Sequence, residues 1–258
     1  MMAKLSRTQV LVVLCALAIV IAAWLPSLQA IATQVTDANL KSSLITFASL
    51  RALNAFISVV QGTEVAAGPV LGQVTVAIGQ VLDPINDLLE QVSTVLLWAT
   101  VSLGIQKALL ALSGNWVVST LITLTAIGWA TGHLLGKSLS WLNRLMLLMF
   151  LLRFVFPVMA VGSHVVFDSF FAKDLAAAQQ EIFTAAGEAN KQSTGTGILT
   201  GPKETVDRAR QIAQNLPDTI VRVTVSFLIQ TIVLPLFTLW ALIFVGRGFF
   251  KPVAAPPR

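Results

Sequence analysis

The sequence predicts an all-α integral membrane protein with about four transmembrane helices, one interfacial or re-entrant helix, an extracytoplasmic helical hairpin and a short β segment. Two observations carry this prediction. Of the 258 residues, 55% are hydrophobic and only 11% are charged, which is too apolar for an ordinary soluble domain. The apolar residues are also gathered into runs close to the ~20 residues that a spanning helix needs.

Composition also limits the possible partners. The net charge is +5 and the pI is about 9.8, but the basic residues are spread along the chain and do not form the clustered face that nucleic acid binding requires. They are better explained as determinants of membrane topology. The lipid bilayer is therefore the first expected partner, and nucleic acid is not expected. The single cysteine, Cys15, allows no intramolecular disulfide.

Residues 1–30 combine a short basic start with an apolar run. This pattern predicts a signal anchor or first transmembrane helix, with a cleaved signal peptide as the alternative. No charged residue occurs from Thr8 to Thr36, which favours the anchor because this length can span a bilayer. Both interpretations place residues 31–91 outside the cytoplasm.

The extracytoplasmic segment 31–91 is predicted to hold three elements. Apolar residues at helical spacing indicate an amphipathic surface helix within 37–64. Three apolar residues then alternate with small residues and predict a short strand, at Val74, Val76 and Ile78. Asp83 followed by Pro84 has the pattern of an N-cap and a first helical residue, so a helix is predicted to start at residue 84.

Four further apolar runs follow, at 92–112, 116–135, 145–161 and 223–245. If all of them crossed the membrane together with the first run, the basic residues near 137–144 and 247–258 would lie outside, against the positive-inside rule. The run 92–112 is the weakest, because its uncharged part is confined between Glu90 and Lys107. It is therefore predicted to be the interfacial or re-entrant helix, and a true five-span chain is the alternative.

This topology divides the rest of the chain into four parts. Membrane helices occupy 92–163, a helical hairpin outside the cytoplasm occupies 164–218, the last transmembrane helix occupies 219–246, and a basic cytoplasmic tail occupies 247–258. Segments such as VLDPINDLLEQ are typical of a bacterial inner-membrane protein. The bacterial inner membrane, crossed several times, is the predicted location.

The predicted hairpin has a heptad-like seam on each arm, separated by the glycine-rich loop KQSTGTGILTGP. Each seam is too short to indicate an independent coiled coil, so packing within the chain is the first interpretation and pairing between subunits is the second. The residues assigned to hairpin or oligomer packing are Phe171, Leu175, Ala178, Ile182, Val206, Ala209 and Ala213.

No pattern in the sequence predicts a catalytic, cofactor or metal site. His133 and His164 lie at the ends of different apolar runs, and no cluster has the spacing of metal ligands. Ser163 precedes His164, but neighbours on a helix point about 100° apart, so they do not form a nucleophile and base pair. The protein is therefore predicted not to be an enzyme and to need no cofactor.

One charge interrupts the apolar run LMLLMFLLRFVFPVMAV. Arg153 is predicted to lie roughly 12 Å from the cytoplasmic end of its helix, near the middle of a hydrocarbon core about 30 Å thick. Facing lipid there costs on the order of 3 kcal/mol, so its side chain should face protein, water or a lipid headgroup drawn inward. Pro157 removes the backbone hydrogen bond to the carbonyl of Arg153. Arg153, Pro157 and Gln230 are the residues predicted to line a pore or bundle interior.

The sequence favours a non-enzymatic inner-membrane protein that homo-oligomerises to form a membrane pore or scaffold. The basis is a charge in the middle of the membrane without an acidic partner in the sequence around it, together with exterior segments patterned for packing. The alternative is an accessory or assembly subunit of a larger envelope complex, in which Arg153 pairs with a carboxylate of a membrane protein partner.

Overall fold

The computed structural model describes residues 6–66, 72–136, 140–193 and 202–249. Within these ranges the chain forms eight α-helices and one π-helical segment. The α-helices are α1 (Arg7–Trp24), α2 (Ser27–Ala66), α3 (Gly72–Gly114), α4 (Trp116–Leu134), α5 (Ser140–Phe170), α6 (Ala172–Ser193), α7 (Pro202–Leu228) and α8 (Leu234–Phe249), and the π-helical segment is Ile229–Val233.

The predicted all-α architecture is confirmed over the residues that the structure describes. Within the described ranges, six helical stretches are long and apolar enough to cross a membrane, where the sequence predicted about four. They are Arg7–Trp24, Ser27–Gln61, Leu82–Gly114, Trp116–Leu134, Ser140–Phe170 and Gln214–Phe244.

The predicted short strand is wrong. Residues 74–78 belong to the first turns of α3, and no strand occurs in the four ranges that the structure describes. Alternation over so few residues does not separate a strand from a helix. A strand also needs a partner strand for its backbone groups, whereas a helix satisfies them within itself.

The predicted helix start at residue 84 is also wrong, because Pro84 lies inside α3. A proline in a helix interior removes one backbone hydrogen bond. Here the helix is held on both sides by packing, since Leu82, Ile85 and Leu89 are all buried in one hydrophobic core. Tertiary packing therefore outweighs the local signal.

The run 92–112 is not a separate interfacial or re-entrant element. It forms the second half of α3 and belongs to the stretch Leu82–Gly114, which has the length and composition of a spanning helix. Only Asn115 separates α3 from α4, and its side chain accepts a hydrogen bond from Val117 N at 3.0 Å as the N-cap of α4.

The first apolar run is likewise divided in two. α1 ends at Trp24, Leu25 and Pro26 follow in non-helical conformation, and α2 begins at Ser27. Proline lacks the N–H that would continue α1, which explains the position of the break. The amphipathic helix predicted within 37–64 is part of α2, which is longer at its N-terminal end.

The chain divides into two compact units. Unit 1 contains Met1–Asp37, Gly104–Val165 and Pro235–Arg258, and unit 2 contains Ala38–Leu103 and Val166–Leu234. In unit 1, α1 packs along α4, and the buried apolar clusters are small, such as Ala16, Ala126 and Met146. Large apolar side chains cover much of its surface, for example Leu11, Leu124 and Phe244. This distribution suits a lipid surrounding.

Unit 2 has one large apolar core, to which α2, α3, α6 and α7 contribute. The fully buried side chains Leu50, Leu89, Ile182 and Phe227 belong to it. α6 packs against α7, and Gln179 on α6 donates to Ser42 Oγ at 2.8 Å and to Thr46 Oγ1 at 2.7 Å on α2. Unit 2 therefore has a much larger buried apolar core than unit 1.

The residues predicted to pack the hairpin fall into two groups. Leu175, Ala178 and Ile182 are buried in the core of unit 2, and Phe171 packs against that core while partly exposed. The side chains of Val206, Ala209 and Ala213, and the loop 194–201, lie outside the described part of the structure.

Candidate functional site

The Arg153 guanidinium lies in the interior of unit 1, where only 6% of the residue is exposed. Its Nη1 donates to the carbonyl oxygen of Ser113 at 2.7 Å. Its Nη2 and Nε both donate to the carbonyl oxygen of Ala23, at 2.7 and 3.2 Å. The charge is thus held by backbone oxygens of the same chain.

Both carbonyls come from the last turn of a helix. Ala23 is next to the end of α1, and Ser113 is next to the end of α3. The last four carbonyls of a helix have no N–H partner within that helix, and the aligned peptide dipoles place about half a negative charge at such an end. Two helix ends can therefore offset most of one positive charge without a carboxylate.

Polar side chains complete this arrangement. Ser119 Oγ of α4 also donates to the Ala23 oxygen, at 3.2 Å. Gln29 Nε2 of α2 donates to the carbonyl oxygen of Leu110 at 2.6 Å, next to the end of α3. We call Arg153, Ala23, Ser113, Ser119 and Gln29 the Arg153 cluster.

The absence of a side chain at Gly114 lets the two helix breaks approach each other. A Cβ atom at this position would lie 2.7 Å from Gln29 Nε2 and 2.9 Å from its Cδ. A larger residue would therefore displace the Gln29 amide from Leu110. Gly114 is the last residue of α3, so the close approach occurs where this helix ends.

The order of contacts shows that the chain keeps its direction through both breaks. Buried clusters and a hydrogen bond link α5 to α1 and then to α2 in sequence order. Met146 shares a cluster with Ala16, Arg153 bonds to Ala23, and Ala160 shares a cluster with Ala32. The chain through α3 and α4 runs antiparallel to the chain through α1 and α2 on both sides of the break at Asn115. Its hydrogen bonds join Gln29 to Leu110, Trp24 to Thr123, and Gln9 to Leu134. Neither break therefore reverses the chain within unit 1.

An open cleft of about 340 Å³ borders the Arg153 cluster. Its polar lining includes Arg153, Gln29 and Ser119, and its apolar lining includes Trp24 and Trp116. Both tryptophans are largely exposed. Trp24 Nε1 donates to Thr123 Oγ1 at 3.0 Å, which fixes this ring at the cleft wall.

The other residues predicted for the pore or bundle interior lie in different surroundings. Pro157 is buried four residues after Arg153 on α5. Gln230 belongs to unit 2, within the π-helical segment, and its buried Oε1 has no hydrogen-bond partner among the described residues. The structure therefore gives Arg153 and Gln230 separate neighbourhoods in separate units.

The two histidines lie on different helices, His133 on α4 and His164 on α5. His133 Nδ1 lies 3.0 Å from the carbonyl oxygen of Trp129, and Ser163 Oγ donates to the carbonyl oxygen of Ala160 at 3.1 Å. In the part of the chain that the structure describes, no three His, Cys, Asp or Glu side chains lie close enough together to hold a metal ion.

Sequence reasoning identified Arg153 but not its partners. Backbone carbonyls carry no side-chain signature, so Ala23 and Ser113 could be found only through the positions of helix ends. Pro26 and the Asn115–Trp116 pair are the available signals for those ends. The ion pair between Lys107 Nζ and Asp37 Oδ1, 2.8 Å apart, was also missed, because these residues are far apart in sequence.

Comparison of the chain with protein-family models, with curated proteins and with solved structures finds no significant match.

Proposed function

We propose that this chain is a non-catalytic, multi-pass membrane protein of the bacterial inner membrane that assembles with copies of itself as a membrane scaffold. The observation that carries self-assembly is the open Gly128 position on α4. The Arg153 cluster braces each copy, because its charged side chain ties α5 to the ends of two other helices of the same chain. Hydrogen bonds to a charged group are worth about 1.5 to 3 kcal/mol, so this tie holds the three helices in one arrangement.

The spacing of charges supports a position of Arg153 in the middle of the bilayer. Its partner Ala23 comes 16 residues after Arg7 and 14 residues before Asp37, or roughly 24 and 21 Å along a helix. Together these lengths approach the ~40 to 45 Å of a bilayer with its headgroup regions. A cluster at this depth is shielded from water, which strengthens its hydrogen bonds.

Because neither break reverses the chain, the six candidate stretches can make four crossings of the membrane, two of which each combine parts of two stretches. α1 with the start of α2 makes the first crossing, and the end of α3 with α4 makes the second. α5 makes the third, and the stretch ending in α8 makes the fourth. This arrangement places Arg7, Lys137 and Arg247 on one side, which the positive-inside rule assigns to the cytoplasm. Because the run 92–112 shares one crossing with α4, it does not force the basic residues near 137–144 and 247–258 to the outside, which the positive-inside rule disfavours.

Within one chain, the geometry of Arg153 favours a scaffold over a pore. An arginine that lines a water-filled path should present its guanidinium to that path. Arg153 instead directs three N–H groups at backbone oxygens and is almost completely buried. We therefore assign it a bracing role.

One face of α4 supports self-association. Gly128 and Gly132 form a GxxxG pair in an apolar helix, which is a common motif of close helix pairing. At ~100° per residue they lie on the side of α4 away from the buried Ser119, Ile122 and Ala126. A Cβ atom at Gly128 would meet nothing within 4 Å, so the chain itself leaves this position open to a second copy.

Mass measurement of the protein purified in mild detergent tests the proposal. We expect a defined oligomer for the wild type and dissociation in Gly128→Leu. Gly104→Leu is the matched control, because a Cβ atom there also meets nothing within 4 Å and the position lies on α3. Both variants should keep the helical content of the wild type. A wild-type monomer would end the proposal of self-assembly.

The second candidate is an accessory subunit of an envelope complex. It is supported by a groove of about 800 Å³ between α6 and α7, lined by polar residues that include Glu181, Glu188 and Asn215. In-cell crosslinking decides between the two functions. A single stoichiometric foreign protein without self-contacts would favour the accessory role, and contacts between copies would favour the scaffold.

A further inference from the structure

The cleft beside the Arg153 cluster has the features of a ligand site that the bracing role does not use. Its ~340 Å³ lies within the range of roughly 300 to 1,000 Å³ typical of small-molecule pockets. Apolar walls with few convergent polar groups are also typical of such sites. Here Trp24, Trp116 and Pro26 supply apolar walls, and Arg153 and Gln29 supply polar groups.

Arg153 retains hydrogen-bonding capacity toward a ligand. A guanidinium has five N–H donors, and three hydrogen bonds to the protein are formed, one each from Nε, Nη1 and Nη2. Two N–H groups, one on each Nη nitrogen, are left. Each of these N–H groups can donate a charge-assisted hydrogen bond to an oxygen of a carboxylate.

The electrostatics of the two breaks also favour an anion. The C-terminal ends of α1 and α3 offset the arginine, with about half a negative charge each. The same breaks, however, contain the N-terminal ends of α2 and α4, each with about half a positive charge. First-turn residues of both helices, Gln29 of α2 and Ser119 of α4, line the cleft. No acidic side chain is among the residues that line it in the described structure.

We propose that this cleft binds the carboxylate of a long-chain fatty acid, with the two remaining Nη donors of Arg153 on the carboxylate and the hydrocarbon chain against Trp24 and Trp116. The apolar walls and the membrane surroundings select an amphiphile over a small hydrated anion. Both anions lose water on entry, but only the amphiphile offsets this cost by burying hydrocarbon against the indole surfaces. This proposal holds whether or not the chain forms oligomers.

Tryptophan quenching tests it on the intact wild-type protein in detergent. The probe is 9,10-dibromostearic acid, whose bromines quench nearby indoles, and the matched control is its methyl ester, which has the same chain without the charge. We expect saturable quenching by the acid at pH 8, with the ester about tenfold weaker or worse, because hydrogen bonds to a charged group are worth ~1.5 to 3 kcal/mol. Equal potency of acid and ester, or no saturable quenching, would overturn the proposal.

Two variants locate the site. The double variant Trp24→Phe/Trp116→Phe keeps four other tryptophans. It should lose the saturable part of the quenching by the acid. Arg153→Lys keeps the charge but lacks the fork, so binding of the acid should weaken while that of the ester stays the same. Full saturable quenching in the double Trp variant would place the acid elsewhere and refute the assignment.

Discussion

Arg153 occupies a position where the usual partner of an arginine, a carboxylate, is replaced by peptide carbonyls. Its three hydrogen bonds end on Ala23 and Ser113, both in the last turn of a helix. The planar fork matters here, because one side chain must reach two carbonyls from different helices. A charge in an apolar run is thus explained by carbonyls at helix ends, which have no N–H partner within their own helix.

Arg153→Met should lower the free energy of unfolding by about 2 to 4 kcal/mol, because it removes the donor to the Ser113 carbonyl and two of the three donors to the Ala23 carbonyl. Thermal unfolding followed by circular dichroism in detergent measures this loss. Arg144→Met is the matched control on the same helix; Arg144 is exposed, so its loss should stay within about 0.5 kcal/mol. Equal effects of the two substitutions would contradict the assigned role of Arg153.

At the scale of elements, the two breaks act as one structural feature. The break between α1 and α2 meets the break between α3 and α4, and Gly114 allows the contact with Gln29. Helices interrupted inside a membrane are tolerated where other protein groups satisfy the freed backbone. The Arg153 cluster supplies those groups.

Gly114→Ala should destabilise the protein by about 1 kcal/mol, because the new methyl group displaces Gln29 from the Leu110 carbonyl. In a Gln29→Ala background the same change should cost little, since the displaced side chain is already absent. A double-mutant cycle from chemical denaturation measures the coupling. Additive effects would show that Gly114 and Gln29 do not meet as described.

Helix α6 offers a second test, in unit 2. Ala178 is completely buried whereas Ala176, two residues earlier, is exposed. Ala178→Leu should destabilise by about 1 to 3 kcal/mol through overpacking, and Ala176→Leu should change stability by no more than about 0.5 kcal/mol. Thermal unfolding of both variants is the measurement. The reverse order would mean that α6 packs with another face.

The sequence was informative about elements whose signal is local and repeated. The heptad-like spacing on α6 marked Leu175, Ala178 and Ile182, which the structure buries. It failed where a local signal competes with packing: Pro84 resembles a helix start, but the core contacts of Leu82 and Leu89 continue α3 through it. It identified Arg153 from charge alone, yet could not name Ala23 or Ser113, because any residue can present a carbonyl.

The topology of the whole molecule depends on how many times the chain crosses the membrane. If α3 and α4 together make one crossing, the chain passes four times. Two of the chain's charged residues, Arg7 and Arg144, then lie near the same face of the membrane. If α3 and α4 cross separately, those residues lie on opposite faces.

Cysteine labelling distinguishes these topologies in a Cys15→Ala background. The four test positions are all exposed: Ser6→Cys, Asn143→Cys, Ala55→Cys and Lys191→Cys. We expect the first two to react with a membrane-impermeant thiol reagent from the cytoplasmic side only, and the last two from the other side only. Reaction of positions 6 and 143 from opposite sides would favour the five-span alternative.

The most direct measurement of the central claim is solid-state NMR of the protein in liposomes, with ¹⁵N in arginine side chains and ¹³C in the carbonyls of alanine and serine. We expect dipolar contacts from the Nη nitrogens of Arg153 to the carbonyl carbons of Ala23 and Ser113, and their loss in Arg153→Met. Contacts of that guanidinium with lipid acyl chains, without any to either carbonyl, would contradict the central claim.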